Sequence, residues 1–109
     1  MAALSPDFKH FTLLVVRCGQ RVLLGRKRRG FGEGYFNGFG GKVEATDKSV
    51  EEAAKRELRE EAGIEALDCD KLGLLTFHFD DKPLPWKVHV FRCSQFEGTP
   101  TETEEMSPQ

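Results

Sequence analysis

The chain is poor in several features that would classify it quickly. It has three cysteines in 109 residues, Cys18, Cys69 and Cys93, far apart and with no CxxC pair. That scatter excludes a disulfide framework or a zinc site and reads as reduced thiols in a cytosolic or nuclear setting, packed as small buried hydrophobes. No apolar run approaches the ~20 residues that a membrane-spanning helix requires. The N-terminus, MAALSPDFKH, lacks the basic-then-apolar layout of a signal peptide. Positive charge is not in excess: 16 Lys and Arg stand against 18 Asp and Glu, a formal net charge of -2, which excludes a general nucleic-acid binder. No internal repeat occurs. His10, His78 and His89 have no metal-ligand spacing, so no histidine base is expected. His89 alternates with Val88 and Val90, which predicts that it faces solvent or a polar neighbour.

What is present is an ordinary globular composition, 39% hydrophobic and 31% charged, in a length that suits one domain over residues 1–109. FTLLVVR (11–17) is apolar and β-branched and predicts a buried strand. CGQ turns the chain, and RVLLGR (21–26) predicts its hairpin partner. GFGEGYFNGFGGK (30–42) carries six glycines and predicts a loop that turns sharply or approaches something closely. KLGLLTFHF (71–79) and KVHVFRC (87–93) predict two further strands joined by a turn bearing Pro and Asp. From Gly98 onward no core-forming pattern is visible. Strands flanking one helix predict an α/β or α+β fold with a mixed sheet.

That helix has clear bounds. Ser49 followed three residues later by Glu52 is a capping box, and Gly63 is placed to end the helix. On a helical wheel Val50 and Ala54 mark an apolar side, and Glu57 and Glu61 fall beside Val50, with Glu60 at the margin. Lys55, Arg59 and Glu52 point away. Carboxylates on a half-buried face are unfavourable unless neutralised. Arg56 is expected to serve one of them but not three. A divalent cation with hard oxygen ligands would serve all three; a frayed last turn that lets the glutamates reach water is the alternative. Gly40, Gly41 and Lys42, just before the helix, favour a magnesium-phosphate site, since glycine lets backbone groups approach a metal or phosphate.

The stretch GGKVEATDKSVEEAAKRELREEAGI resembles the Nudix box, G-x5-E-x7-R-E-U-x-E-E-x-G-U with U a bulky aliphatic, over about residues 41–64. Arg56, Glu57, Leu58, Glu60, Glu61, Gly63 and Ile64 match its second half at every position. The first half departs: Asp47 stands where the pattern has Glu, and one extra residue precedes Arg56. Beyond the box, TLLVV, RVLLGRKRRGFGEGYFNGFGGKV, TFHF, VHVF and GTPTETEEM resemble the Nudix subgroup that hydrolyses oxidised purine nucleoside triphosphates.

The resemblance implies an α/β/α sandwich with a mixed sheet. It implies Mg²⁺, with Mn²⁺ as an alternative, held by Glu57, Glu60, Glu61, a backbone oxygen of Gly40, and Glu105. The same three helix glutamates are the implied catalytic residues. It implies nucleotide contacts from Thr12, Lys27, Asn37, Phe39, Gly40, Gly41 and Lys42, and a purine pocket lined by Phe31, Phe77, Phe79 and Met106. Trp86 replaces a smaller apolar residue of similar proteins. GRKRRG (25–30), which alone could be a localisation signal, a basic patch or a solvated hairpin end, becomes the place where Lys27 attracts the triphosphate. The implied partner is a small-molecule nucleotide, with no nucleic acid or membrane, and the implied state is a cytoplasmic monomer, nuclear or mitochondrial pools being alternatives. Similar proteins run to about 150 residues and carry their base-reading acidic pair after the stretch matching Met106. The expectation is therefore a fold incomplete at its C-terminus, with a sheet edge and an apolar face uncovered. Another Nudix specificity, or a truncated isoform without activity, are the rival readings.

Overall fold

The computed structural model describes residues 4–28, 34–103 and 106–108. The expected first strand is β1 (Lys9–Cys18), turned by Gly19 and Gln20 into β2 (Arg21–Leu23) with Cys18 opposite Arg21. Positive φ at Gly19 and not at Gln20 is the pattern of the two-residue turn that matches strand twist. The predicted 21–26 partner is two strands. After Leu24 the chain leaves the first sheet, and β3 (Gly25–Lys27) pairs instead with β4 (Phe36–Asn37).

The helix α1 (Val50–Ala62) forms where the capping signals place it. Ser49 accepts a hydrogen bond from the Glu52 amide at 3.0 Å, worth roughly 1 kcal/mol in similar caps. Gly63 ends the helix in the left-handed region, φ 71°, and its amide donates to the Arg59 carbonyl. The chain continues through β5 (Glu65–Ala66), β6 (Asp70–Phe77), β7 (Trp86–Cys93), β8 (Phe96–Glu97) and β9 (Met106–Pro108). The main sheet has the order β2-β1-β7-β6, with β1 and β7 parallel and the other pairs antiparallel, so it is mixed as expected. A second sheet has the order β4-β3-β9, and β5 pairs with β8.

One face of the main sheet meets the helix. Leu14 and Val16 of β1 and Phe91 and Cys93 of β7 pack with Ala54, Leu58 and Ala62 of α1, and with Phe39, Ile64 and Met106. Burying one such side chain contributes about 1.5–3 kcal/mol. Met106 corrects the reading that residues after Gly98 add nothing to the core: it is fully buried, and β9 pairs with β3. The expected burial of the cysteines holds for Cys93, partly for Cys69, and fails for Cys18, which is exposed at the hairpin end. On edge strand β6, Leu72, Leu74, Leu75 and Phe77 are exposed. Among the described residues, no helix is long and apolar enough to cross a membrane.

Candidate functional site

The site is assembled where the glycine loop is laid along β1. Leu14 and Phe39 exchange backbone hydrogen bonds, the Thr12 amide donates to the Gly41 carbonyl at 2.8 Å, and the Val43 amide donates to the His10 carbonyl at 3.0 Å. Residues 39–43 therefore run antiparallel beside β1 and are brought close to the buried face of α1. Two glycines make this approach close. A Cβ on Gly40 would run into the Thr12 carbonyl, and one on Gly41 would lie 2.7 Å from the Glu57 carboxylate.

The helix presents its carboxylates as the wheel predicts. Glu61 is 1% exposed and Glu57 8%, while Glu60 is exposed. The Gly40 amide donates to Glu61 Oε1 at 2.7 Å, tying the loop to the last turn of the helix. The frayed-turn alternative is thereby set aside: the last turn is regular and its end is capped.

Arg56 organises the rest. Its Nε and Nη2 donate to the two oxygens of Asp47 at 2.8 and 3.1 Å, and its Nη1 donates to Glu57 and Glu60 at 3.1 Å each. Nη2 also donates to the Lys42 carbonyl at 3.3 Å. The expectation that Arg56 serves one acid of the trio is corrected: it serves two, and Asp47 besides. A planar guanidinium has five N–H donors in a fixed fork, enough for several carboxylates at once. The Arg56 hydrogen bond is the main force holding the Asp47 carboxyl below its ordinary range; burial opposes it and the Glu44 amide assists. The same bond pushes the guanidinium further up, so the group stays charged. Asp47 thus ties the turn between Glu44 and Ser49 to the middle of α1.

The remaining expected residues are spread over several places. Thr12 is buried beside Gly41. Lys42 is exposed and forms an isolated bridge with Phe11. Phe77, Phe79 and Trp86 gather with Phe11 at one end of the main sheet: Trp86 lies 4.3 Å from Phe11 and 4.9 Å from Phe79 between ring centroids. Lys82 sits about equally over Phe79 and Trp86. Trp86 was noted from sequence as replacing a smaller apolar residue, but Phe11 and Lys82 were not singled out for the site, because the strand and turn that carry them lie some 70 residues apart. On the second sheet Lys27 is half-buried and Asn37 exposed, its side chain accepting from the Gly38 amide. Phe39 and Met106 lie in the core, 0% and 1% exposed, and support the site from beneath. Phe31 and Glu105 lie outside the described residues.

Among the described residues, no three His, Cys, Asp or Glu side chains converge on a point where an ion would sit. The donor chemistry nonetheless fits a hard divalent cation. Three carboxylates occupy successive turns of one helix face, two of them turned to a loop whose glycines leave backbone oxygens approachable. One guanidinium shares its single charge among Glu57, Glu60 and Asp47, so added positive charge is accommodated there.

Comparison with known proteins agrees with this geometry. Residues 8–108 match the family profile described as NUDIX domain. The oxidized purine nucleoside triphosphate hydrolase of Mus musculus is 50% identical over 99 residues, which is 91% of this chain and 63% of that protein. The Danio rerio protein of the same description is 48% identical over 101 residues, 93% of this chain and 64% of that one. The chain thus spans less than two thirds of the length of these curated relatives. Among solved structures, the MutT NUDIX hydrolase from Burkholderia pseudomallei superposes with a TM-score of 0.80 at 24% identity, covering 93% of this chain and 80% of that one. The mutator MutT protein from Bacillus halodurans superposes with a TM-score of 0.75 at 28% identity, covering 94% and 67%.

Proposed function

The chain belongs to the NUDIX domain family, and from that premise we propose that it hydrolyses oxidised purine nucleoside triphosphates of the 8-oxo-dGTP or 2-oxo-dATP type. The products are the nucleoside monophosphate and pyrophosphate, and the effect is to clear damaged nucleotides before a polymerase uses them. The observation that carries this reading is the pair of buried carboxylates, Glu57 and Glu61, turned to a loop whose Gly40 leaves no room for a side chain. Burying two acids on a helix face has a cost that a purely structural helix would avoid with Leu or Ala.

Nudix hydrolases generally use divalent metal cations. Here Glu57, Glu60, Glu61, a backbone oxygen of Gly40, and Glu105 would hold Mg²⁺ or Mn²⁺. Such an ion neutralises phosphate oxygens and lowers the pKa of the attacking water. The protein's own part is positioning. Arg56 keeps Glu57 and Glu60 aligned, and the Gly40 amide fixes Glu61. Lys27 is assigned to the triphosphate as a compact charge. Phe77, Phe79 and Trp86 offer ring faces for a base, where stacking is tolerant of base identity. That tolerance favours weak selectivity among purines. Strong discrimination requires buried polar groups paired with the base edge.

The test is pyrophosphate release by the 109-residue chain, with and without Mg²⁺, from 8-oxo-dGTP and dGTP beside a full-length relative. Mg²⁺-dependent release of pyrophosphate is the expected result. Release of phosphate alone, or turnover only of sugar nucleotides or capped substrates, assigns another Nudix specificity. No turnover, together with no rise in melting temperature on adding Mg²⁺ and nucleotide, assigns a chain without catalytic function.

A further inference from the structure

Away from the glutamates, three basic side chains form a line across adjacent strands of the main sheet. Lys71 Nζ on edge strand β6 lies 3.0 Å from His89 Nδ1 on β7. His89 Nε2 lies 3.1 Å from His10 Nδ1 on β1, with the rings stacked. His10 Nε2 lies 3.2 Å from the Ser5 carbonyl in the N-terminal segment.

The ends of this line dictate the protons within it. A lysine ammonium only donates and a peptide carbonyl only accepts. His89 Nδ1 must therefore accept and its Nε2–H donate. His10 Nδ1 must accept from it, and His10 Nε2–H must donate to Ser5. With both imidazoles neutral, every bond is made and one arrangement satisfies them all. One added proton leaves no satisfactory arrangement. On His10 it sets N–H against the N–H of His89; on His89 it sets N–H against the ammonium of Lys71.

We propose that the line is an acid-sensitive tie, which holds the N-terminal segment and edge strand β6 to the sheet while both rings are neutral and lets go when either ring takes a proton. The surroundings act in the same direction. His89 is 7% exposed. Its register neighbours are Thr12 on β1 and Leu74 on β6, neither of them charged. The charges acting on it are those of Lys71, His10 and Lys87, all cationic. Burial first, and then these cations, push the His89 imidazole down to about 4 from an ordinary 6.5. A histidine whose pKa is lowered on folding contributes stability that is full above about 6.5 and lost as the pH falls toward about 4. What loosens carries function: β6 ends at Phe77, beside the ring cluster.

The experiment uses the intact chain. Nitrogen chemical shifts of the imidazoles at neutral pH should show the Nε2–H form for both His10 and His89. Amide protection in β6 and in residues 8–10 should fall about tenfold between about pH 7.5 and pH 5, in keeping with one titrating group. The double variant His10→Gln/His89→Gln places an amide at both positions and takes no proton at either, so its protection in both segments should stay within about twofold over the same range. An Nδ1–H form on either ring overturns the proposal. So does a pH response of equal size in wild type and the double variant, or no response in wild type. The tautomer measurement needs no substitution, so the outcome does not depend on the variant folding.

Discussion

Asp47 and Arg56, nine residues apart, meet through two parallel hydrogen bonds, Nε to Oδ1 at 2.8 Å and Nη2 to Oδ2 at 3.1 Å. Asp47 sits in the turn before α1 and Arg56 in its middle, so the pair clamps the loop to the helix. The Arg56 Nη1 group left over aligns Glu57 and Glu60. Loop position and carboxylate position are thus set by one guanidinium.

Replacing Asp47 with Asn should therefore destabilise the fold by about 2 kcal/mol. That is less than the 3–5 kcal/mol for breaking a fully buried pair, because Arg56 keeps its other acids and some solvent contact. Urea denaturation measures it. The acid limb should change as well. The Asp47 pKa lies below its ordinary 3.8 when folded, so its contribution is complete above that value and lost as the pH falls below it. The Asn variant should lose less stability than wild type below about pH 4.

Glu61→Gln should lower kcat/KM by about 10²-fold or more, the scale of removing one preorganised electrostatic group. Its amide carbonyl can still accept from Gly40, so stability without divalent cation should stay within about 1 kcal/mol of wild type, or rise as a buried charge disappears. Near-normal turnover would remove Glu61 from the metal site.

The two loop glycines should fail differently. At Gly41 an added methyl meets the end of the Glu57 side chain, which can swing aside, so Gly41→Ala should fold at a cost of about 1 kcal/mol yet lose most activity. At Gly40 the methyl meets the Thr12 backbone, which cannot move without breaking the pairing with β1. Gly40→Ala should lose about 3 kcal/mol or more, with activity following stability. Thermal melts beside turnover assays separate the two. Equal effects at both positions would contradict this division.

Lys27→Ala should raise KM more than it lowers kcat. A lysine that contacts phosphate equally in ground and transition states contributes uniform binding. Steady-state kinetics over a range of triphosphate concentrations provides the check. A fall in kcat at constant KM would instead place Lys27 in the chemical step.

The helix, its bounds and its carboxylate face could be read from the chain because they are local. Ser49, Glu52 and Gly63 act on neighbouring backbone, and the spacing of Glu57, Glu60 and Glu61 fixes their side of a regular helix. The three longer strands, β1, β6 and β7, were legible for the same reason, since apolar runs of that length carry their own signal. The strands of two or three residues were not. β4, β5, β8 and β9 are too short to show a period, and each exists only because a distant partner supplies its hydrogen bonds. Met106 lies in a polar tail by composition and in the core by position, because β9 docks on β3 roughly 80 residues earlier. The break at Leu24, the reach of Arg56 to Asp47, the ring cluster at Trp86 and the line from Lys71 to Ser5 all depend on which strands become neighbours. Sequence by itself determined which residues could carry charge or pack. The long-range pairing of β1 with β7, and the docking of residues 39–43 on β1, decided which of them meet.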